Sequence, residues 1–153
     1  PCVRESKGAF GSMLVKGLNG KSYNLNLQSY KVYNDDAKKK SKYHVRARKL
    51  LSNVFSGYRV LEEVKLPGST AVHRRSILYL DFFIPNLMLA VEVHGRQHYE
   101  YVPFFHKSKV GYLKARARDE DKKDWCELND INLIVLSYLD NDDNWRKSLA
   151  KRH

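Results

Sequence analysis

Two apolar runs, residues 77–84 and 87–94, dominate the pattern of hydrophobic and polar positions along the chain. A Pro-Asn pair separates them, and both are rich in β-branched or aromatic residues, so they predict two short strands joined by a tight turn. Continuous apolar runs of this length are typical of strands that are buried on both faces. Each run nevertheless contains ionisable residues, namely Asp81 in the first and Glu92 with His94 in the second.

A charge inside a buried strand is costly unless it is paired or holds a metal ion. Strand alternation places Glu92 and His94 on one face, and neighbouring strands lie about 5 Å apart, so Asp81 can come within metal-bridging distance of Glu92. Two carboxylates suit a hard divalent cation such as Mg²⁺, or Mn²⁺. His94 could then orient or deprotonate a water molecule. The alternative is that all three are structural polar groups.

The remaining elements are predicted from turns, caps and helical spacing. Asn19-Gly20 predicts a β-hairpin within residues 13–30, and Ser41 is a suitable N-cap for a helix over 41–55. Strands are expected over 58–66 and 131–138, and helices over 113–129 and 144–152. The order indicates an α/β fold with a mixed central sheet flanked by helices and an N-terminal β-hairpin. Its first three core strands should be antiparallel, and the last can run parallel to its neighbour.

We divide the chain into residues 1–40, comprising a tail, the hairpin and a basic linker, and a core domain over 41–153. Lys and Arg number 28 against 17 Asp and Glu, a formal charge of +11, which favours a polyanionic partner. No run has membrane-spanning length and no signal peptide is visible. Cys2 and Cys126 have neither zinc-site nor disulfide-framework spacing, so we expect an intracellular, cytoplasmic protein.

The arrangement of Asp81, ten further residues, Glu92, one residue and His94 resembles the PD-(D/E)xK nuclease superfamily. The stretch LDFFIP…LAVEVHGRQHY is most similar to its very-short-patch-repair-like branch, which includes phage homing endonucleases. Leu80 stands where the family pattern has Pro, and His94 stands where it has Lys. The resemblance covers roughly residues 41–138.

This resemblance implies a restriction-endonuclease-like core and a magnesium-dependent endonuclease that hydrolyses DNA phosphodiester bonds, in a phage or in the cytoplasm or nucleoid of a bacterial host. Asp81 and Glu92 would hold the metal, with Glu63 or its neighbour Glu62 as a helper ligand. One such centre cuts one strand, so the enzyme would be a nickase or would need a second subunit, as in a homodimer, to cut both.

Four further residues receive roles near this centre. His98 would donate a proton to the leaving oxygen, and Gln97 would position water or phosphate. His44 occupies the helix where the superfamily often has a Glu, and is either an edge group of the site or a surface residue. Asp121 shares a helical stripe with Ala117 and Trp125, and either accepts a hydrogen bond from a histidine or pairs with an Arg.

Basic and aromatic residues supply the expected nucleic-acid contacts, although a charge run is usually just solvated surface. Aromatic residues in 99–106 would stack on bases or fold back onto the core. A non-catalytic nucleic-acid-binding module on a nuclease-like scaffold is the alternative function, because the family's Lys and helix Glu are absent. Duplex DNA is the expected partner, with RNA left open. The expected phosphate contacts are Lys38, Lys39, Lys40, Arg48, Arg74, Arg75, Arg96, Lys114, Arg118 and Lys122.

Overall fold

The computed structural model describes residues 11–28, 30 and 40–151. The α/β fold, its mixed four-stranded sheet flanked by helices and its N-terminal antiparallel hairpin are as the sequence predicts. Lys38 and Lys39 lie outside the described residues. The strands are β1 (Ser12–Lys16), β2 (Ser22–Asn26), β3 (Leu61–Leu66), β4 (Leu78–Ile84), β5 (Leu89–His94) and β6 (Asn132–Ser137). The helices are α1 (Lys42–Val54), α2 (Pro103–His106), α3 (Lys109–Leu128) and α4 (Asp142–Ala150).

The sheet has the order β3-β4-β5-β6. β3, β4 and β5 are antiparallel neighbours, whereas β6 pairs parallel to β5, as predicted. The parallel pairing follows from the long connection between β5 and β6, which contains α3 and carries the chain back to the same end of the sheet. Among the described helices, none combines the length and the apolar character needed to cross a bilayer.

The core consists of two hydrophobic clusters, one on each side of the sheet. Phe83 and Ala90 pack in the cluster that contains the hairpin and Trp125 of α3. Their chain neighbours Phe82 and Val91 pack in the cluster formed with α1 and α4. All four are fully buried, so β4 and β5 are covered on both faces, as their continuous apolar runs predict.

The helices α1 and α3 differ in how closely they follow the sequence prediction. Ser41 caps α1 as expected, since its Oγ accepts the His44 N–H at 3.1 Å. The expected apolar stripe of α3 is wrong at both ends, because Leu113 is 62% exposed and Leu128 is 44% exposed. This helix begins four residues earlier than predicted, at Lys109.

The N-terminal hairpin docks directly on the core. Asn129, at the end of α3, accepts the Lys16 N–H at 2.7 Å and donates to the Lys16 carbonyl at 2.9 Å. The Leu18 N–H donates to the Gly68 carbonyl at 2.8 Å. Gly17 and Gly68 touch backbone to backbone, and a Cβ on Gly68 would lie 2.5 Å from Gly17 Cα. The hairpin therefore caps one face of the sheet.

This contact predicts a strong effect for Gly68→Ala. Gly68 has a φ of 72° and no space for a Cβ, whereas Gly20 has a φ of 81° but nothing within 4 Å of its Cβ position. Gly20→Ala should therefore cost only the left-handed strain, about 1–2 kcal/mol. Gly68→Ala should cost roughly a further 1–3 kcal/mol for the clash. Urea unfolding of both variants measures the difference, and equal losses would contradict the close docking.

Candidate active site

The backbone ladder between β4 and β5 stops just before the two carboxylates singled out in the sequence. Phe82 and Val91 form the last pair, so the next rung would join Asp81 to Glu92. There the Asp81 N–H donates to Glu92 Oε2 at 2.6 Å, and the Val93 N–H donates to Asp81 Oδ2 at 2.8 Å. The carboxylates replace backbone carbonyls as acceptors, and the two acids lie side by side.

β3 and β4 both reverse their in-and-out alternation at the rung of Glu63 and Asp81. Glu63 has a φ of 53°, a left-handed conformation that costs a non-glycine residue about 1–3 kcal/mol. Leu61 and Val64 are three positions apart yet pack in the same cluster, where regular alternation would place them on opposite faces. In β4, Leu80 and Phe83 are likewise three positions apart and pack in one cluster, whereas Phe82 packs in the other. This reversal leaves Glu63 and Asp81 outside the β3–β4 ladder.

Glu92 is the most deeply buried of the site carboxylates, with 2% of its side chain exposed. Burial, followed by the adjacent charge of Asp81, raises the pKa of Glu92, and the Lys122 ammonium opposes both effects from 2.7 Å. Burial alone would lower the pKa of Lys122, but Glu92 raises it. Two carboxylates thus compete for one ammonium, and the raised pKa of Glu92 favours a proton on the pair when no cation is bound.

His94 lies beside His98 rather than against the two carboxylates. The two imidazole rings stack with centroids 4.0 Å apart and planes 9° from parallel. Burial, followed by the charge of His98, lowers the pKa of His94 to about 4, so its ring is neutral at neutral pH. His98 Nδ1 donates to Asp119 Oδ2 at 2.9 Å. Burial alone would raise the pKa of Asp119, but the hydrogen bond with His98 and the nearby charges together outweigh it and lower the pKa of the carboxyl.

His44 is buried, so its assignment as a surface residue is wrong. Its ring stacks on Phe82 with centroids 4.5 Å apart, and its Nε2 lies 2.8 Å from Glu62 Oε1. The Arg48 guanidinium donates to both oxygens of Glu62, at 2.7 and 2.8 Å. These hydrogen bonds outweigh burial and lower the pKa of Glu62 to about 2. Both carboxylate oxygens of Glu62 are therefore bound by side chains of α1, and the role of this residue is to hold α1 against β3.

Two groups of metal-ligand type occur among the described residues. Ligand atoms of His44, Glu63 and Asp81 lie within 4.8 Å of one another. Glu63 is thus next to Asp81, on the side of α1, while it pairs with Lys40. The second group, with atoms within the same distance, consists of His94, His98 and Asp119.

Gln97 follows the strand end and folds back over Gly95. A Cβ on Gly95 would lie 2.7 Å from Gln97 Oε1, so the absence of a side chain there gives the amide its place. Gly95 has a φ of −81°, and its role is therefore close contact rather than an unusual backbone conformation. Gln97 is half-buried beside the histidine pair.

Asp121 does not reach a histidine, and that part of its predicted role is wrong. Its Oδ2 accepts from Arg74 Nη1 at 2.5 Å, which is the pairing with an Arg that the sequence also allowed. The acid behind His98 is instead Asp119. Trp125 and Ala117 set the helix phase used for the sequence prediction. Cys126 points inward as well, and Lys122 and Asp119 precede it at helical spacing, four and seven residues earlier. A helix phase set by Cys126 was therefore the signal that could have identified Asp119.

Several predicted phosphate contacts are occupied by acids of the protein itself. Arg48 is 6% exposed and holds Glu62, and Arg74 is 9% exposed and holds Asp121. Lys122 holds Glu92. For these three residues a direct phosphate contact is wrong, because their cationic groups are already used inside. Lys40 and Arg96 also pair, with Glu63 and Glu100, although Arg96 remains exposed.

Exposed basic residues remain along α3 and the β3–β4 loop. Arg75, Lys114 and Arg118 are exposed. A groove of about 230 Å³ runs beside them. It has an apolar floor and a basic rim, and it is lined by His73, Arg74, Val110, Leu113, Lys114, Ala117 and Arg118.

The aromatic segment after the site is largely on the surface. Phe104 is 86% exposed and Phe105 is 56% exposed, so the alternative that they fold back onto the core is wrong. Tyr101, His106 and Tyr112 form a separate ring cluster that links α2 to α3.

Comparison with known proteins finds only partial matches to viral proteins. The chain is 36% identical over 75 residues to uncharacterized protein 307L of Invertebrate iridescent virus 6, covering 49% of this chain and 38% of that protein. It is 39% identical over 61 residues to uncharacterized protein 033L of Invertebrate iridescent virus 3, covering 40% and 31%. It is 36% identical over 78 residues to uncharacterized protein 094L of Frog virus 3, covering 50% of each.

The aligned part of this chain therefore spans between about a third and a half of the length of these curated relatives. No protein-family model matches the chain. No solved structure matches it either.

Proposed function

We propose that this protein is a metal-dependent endonuclease that hydrolyses phosphodiester bonds in DNA. The observation that carries the proposal is the meeting of Asp81 and Glu92 at the point where the β4–β5 ladder ends. A fold gains nothing in stability from forcing two carboxylates together in a buried place. Such an arrangement is typical of sites that bind a cation or move a proton.

The residues fit a divalent cation such as Mg²⁺ or Mn²⁺. Asp81 and Glu92 are oxygen donors of the kind these ions prefer, and a bound cation would displace the proton that the raised pKa of Glu92 favours on the pair. Glu63 is close enough to Asp81 to serve as a helper ligand. When bound, the ion would supply Lewis-acid activation of water and would neutralise charge on the phosphate.

The other residues handle protons and position. Neutral His94 can accept a proton from an attacking water. His98 is held by Asp119 through Nδ1, which leaves Nε2 to donate a proton to the leaving oxygen. Lys122 holds Glu92 in place by donating to Oε1 at 2.7 Å, and it opposes the effects that raise the pKa of this carboxyl. His94, at the end of β5, is neutral and provides no positive charge beside the carboxylates. Lys122 provides that charge from α3 instead.

DNA would lie along α3, where the groove offers exposed cations. Lys114→Ala combined with Arg118→Ala should weaken duplex binding and flatten its salt dependence. Two lost phosphate contacts should reduce the slope of log K against log salt by up to about 1.8. Fluorescence anisotropy with EDTA present measures this at several NaCl concentrations. The matched control, Lys147→Ala with Lys151→Ala, removes two exposed cations near α4, on the other side of the sheet, and an equal change in slope there would refute the assignment.

The direct test is nicking of supercoiled plasmid by the purified chain, with Mg²⁺ or with EDTA. We expect relaxed circles only with the metal. Parallel reactions with duplex DNA, single-stranded DNA and RNA identify the substrate, and preferential cleavage of RNA would overturn the assignment to DNA.

One observation favours a second candidate, a non-catalytic nucleic-acid-binding module. Lys122 already provides Glu92 with a positive partner, as expected of a scaffold whose carboxylates are purely structural. Under this candidate the chain binds duplex DNA but leaves plasmid intact at every concentration of Mg²⁺ and Mn²⁺.

A further inference from the structure

The second group of ligand atoms has a chemistry that differs from that of the carboxylate pair. His94 and His98 lie at the end of β5 and in the short turn after it, and Asp119 reaches them from α3. One donor atom of each lies within 4.8 Å of the other two. The set therefore consists of two imidazole nitrogens and one carboxylate oxygen.

The spacing within this group suits a shared ion. His98 Nδ1 and Asp119 Oδ2 are 2.9 Å apart, which is close to the separation of two atoms that bind one ion with bonds of about 2.1 Å. Ligand atoms of a tetrahedral ion with such bonds are about 3.4 Å apart, so the widest pair needs to close by up to about 1.4 Å. The rings of His94 and His98 stack with centroids 4.0 Å apart, and because the nitrogen lone pairs lie in the ring planes, one ring must rotate out of the stack for both to bind the same ion.

We propose that His94, His98 and Asp119 bind a divalent transition cation of the Zn²⁺ class, at a site separate from Asp81 and Glu92. The ion takes the place of the hydrogen that joins His98 to Asp119, and that proton passes to solvent. Imidazole nitrogens favour Zn²⁺, Co²⁺, Ni²⁺ or Cu²⁺ over Mg²⁺, which prefers oxygen. The proposal does not depend on whether the chain cuts DNA, and in the ion-bound protein His94 and His98 are ligands rather than the proton carriers of the proposed function.

Access and charge are compatible with this ion. The side chains of His98 and Asp119 are each 23% exposed, so an ion can enter and keep water in its remaining positions. The ammonium of Lys122 is bound to Glu92 at 2.7 Å. Its positive charge still acts on His94, but the carboxylate of Asp119 has the larger, opposite effect there.

Co²⁺ absorption tests the site without any assay of activity. We expect visible d–d bands that saturate at one Co²⁺ per tag-free chain, disappear when Zn²⁺ is added and persist in excess Mg²⁺. Asp119→Asn and His98→Gln should each weaken Co²⁺ binding at least about tenfold. His73→Gln, which removes an exposed histidine elsewhere, and Asp81→Asn, which alters the carboxylate pair, should leave the bands unchanged.

Three results would overturn the proposal. The first is the absence of bands at millimolar Co²⁺, and the second is a spectrum dominated by thiolate charge transfer, which would mean cysteine ligation. The third is bands that survive both Asp119→Asn and His98→Gln, or that are lost equally in Asp81→Asn. Circular dichroism establishes that each variant is folded, and either of the two ligand variants is sufficient for the test.

Discussion

Asp81→Asn and Glu92→Gln are each expected to lower Mg²⁺-dependent plasmid nicking by on the order of 100-fold or more, with little loss of structure. Both amides keep one oxygen acceptor, so the hydrogen bonds from the Asp81 and Val93 N–H groups can persist. What each change removes is negative charge at the point where a cation would bind. Initial rates of relaxed-circle formation measure the effect.

A matched control separates this effect from a general change in charge. Asp124→Asn alters an exposed acid of α3 and should leave nicking unchanged. Duplex binding in EDTA should be retained or strengthened in the Asp81 and Glu92 variants, because each removes a negative charge from a DNA-binding protein. If wild type and both variants nick at the same rate, catalysis is elsewhere.

Arg48→Met is expected to destabilise the fold by about 3–5 kcal/mol, the usual cost of removing one partner from a buried ion pair. Glu62 would keep only His44 as a charged or hydrogen-bonding partner from α1 and would lie almost entirely out of solvent. Urea unfolding measures the loss. Lys49→Met replaces the next, exposed residue of α1 and should change stability by less than about 0.5 kcal/mol.

The same ion pair gives stability a defined dependence on pH. Because hydrogen bonds from His44 and Arg48 lower the pKa of Glu62 from 4.5 to about 2, the unfolded chain takes up a proton before the folded protein does. The contribution, about 3 kcal/mol, is fully present above pH 4.5 and is lost as the pH falls towards 2. Wild type should lose this stability in that window, whereas Arg48→Met should show a much smaller loss; parallel curves would refute the role of Arg48.

The sequence predicted most of the architecture because periodicity reports burial. Continuous apolar runs identified β4 and β5, and Asn19-Gly20 identified the hairpin. The same reasoning was less successful for charged residues, because the sequence does not show whether an Arg or a Lys is exposed to solvent or paired with an acid inside the protein. Arg48, Arg74 and Lys122 were therefore predicted to contact phosphate, although each holds an acid of the protein.

The candidate site was only partly accessible to such reasoning. Asp81, Glu92 and His94 stand out because ionisable residues are rare in apolar strands. Asp119 does not, because α3 is rich in charge and its inward face depends on small differences of helix phase. Side-chain packing between elements that are distant in sequence decides that phase, and a single sequence does not encode it visibly.

The reversal at Glu63 also restricts how this protein can change over evolutionary time. Since β3 and β4 invert at the same rung, the pairing on both sides of it keeps one register. Inserting or deleting one residue in only one strand would move the side chains beyond that point to the opposite face of the sheet, and its leucines would lose their places in the core. The β3–β4 pair can therefore lengthen or shorten only by matched changes in both strands, so natural variation in length should collect in the loop over residues 67–77.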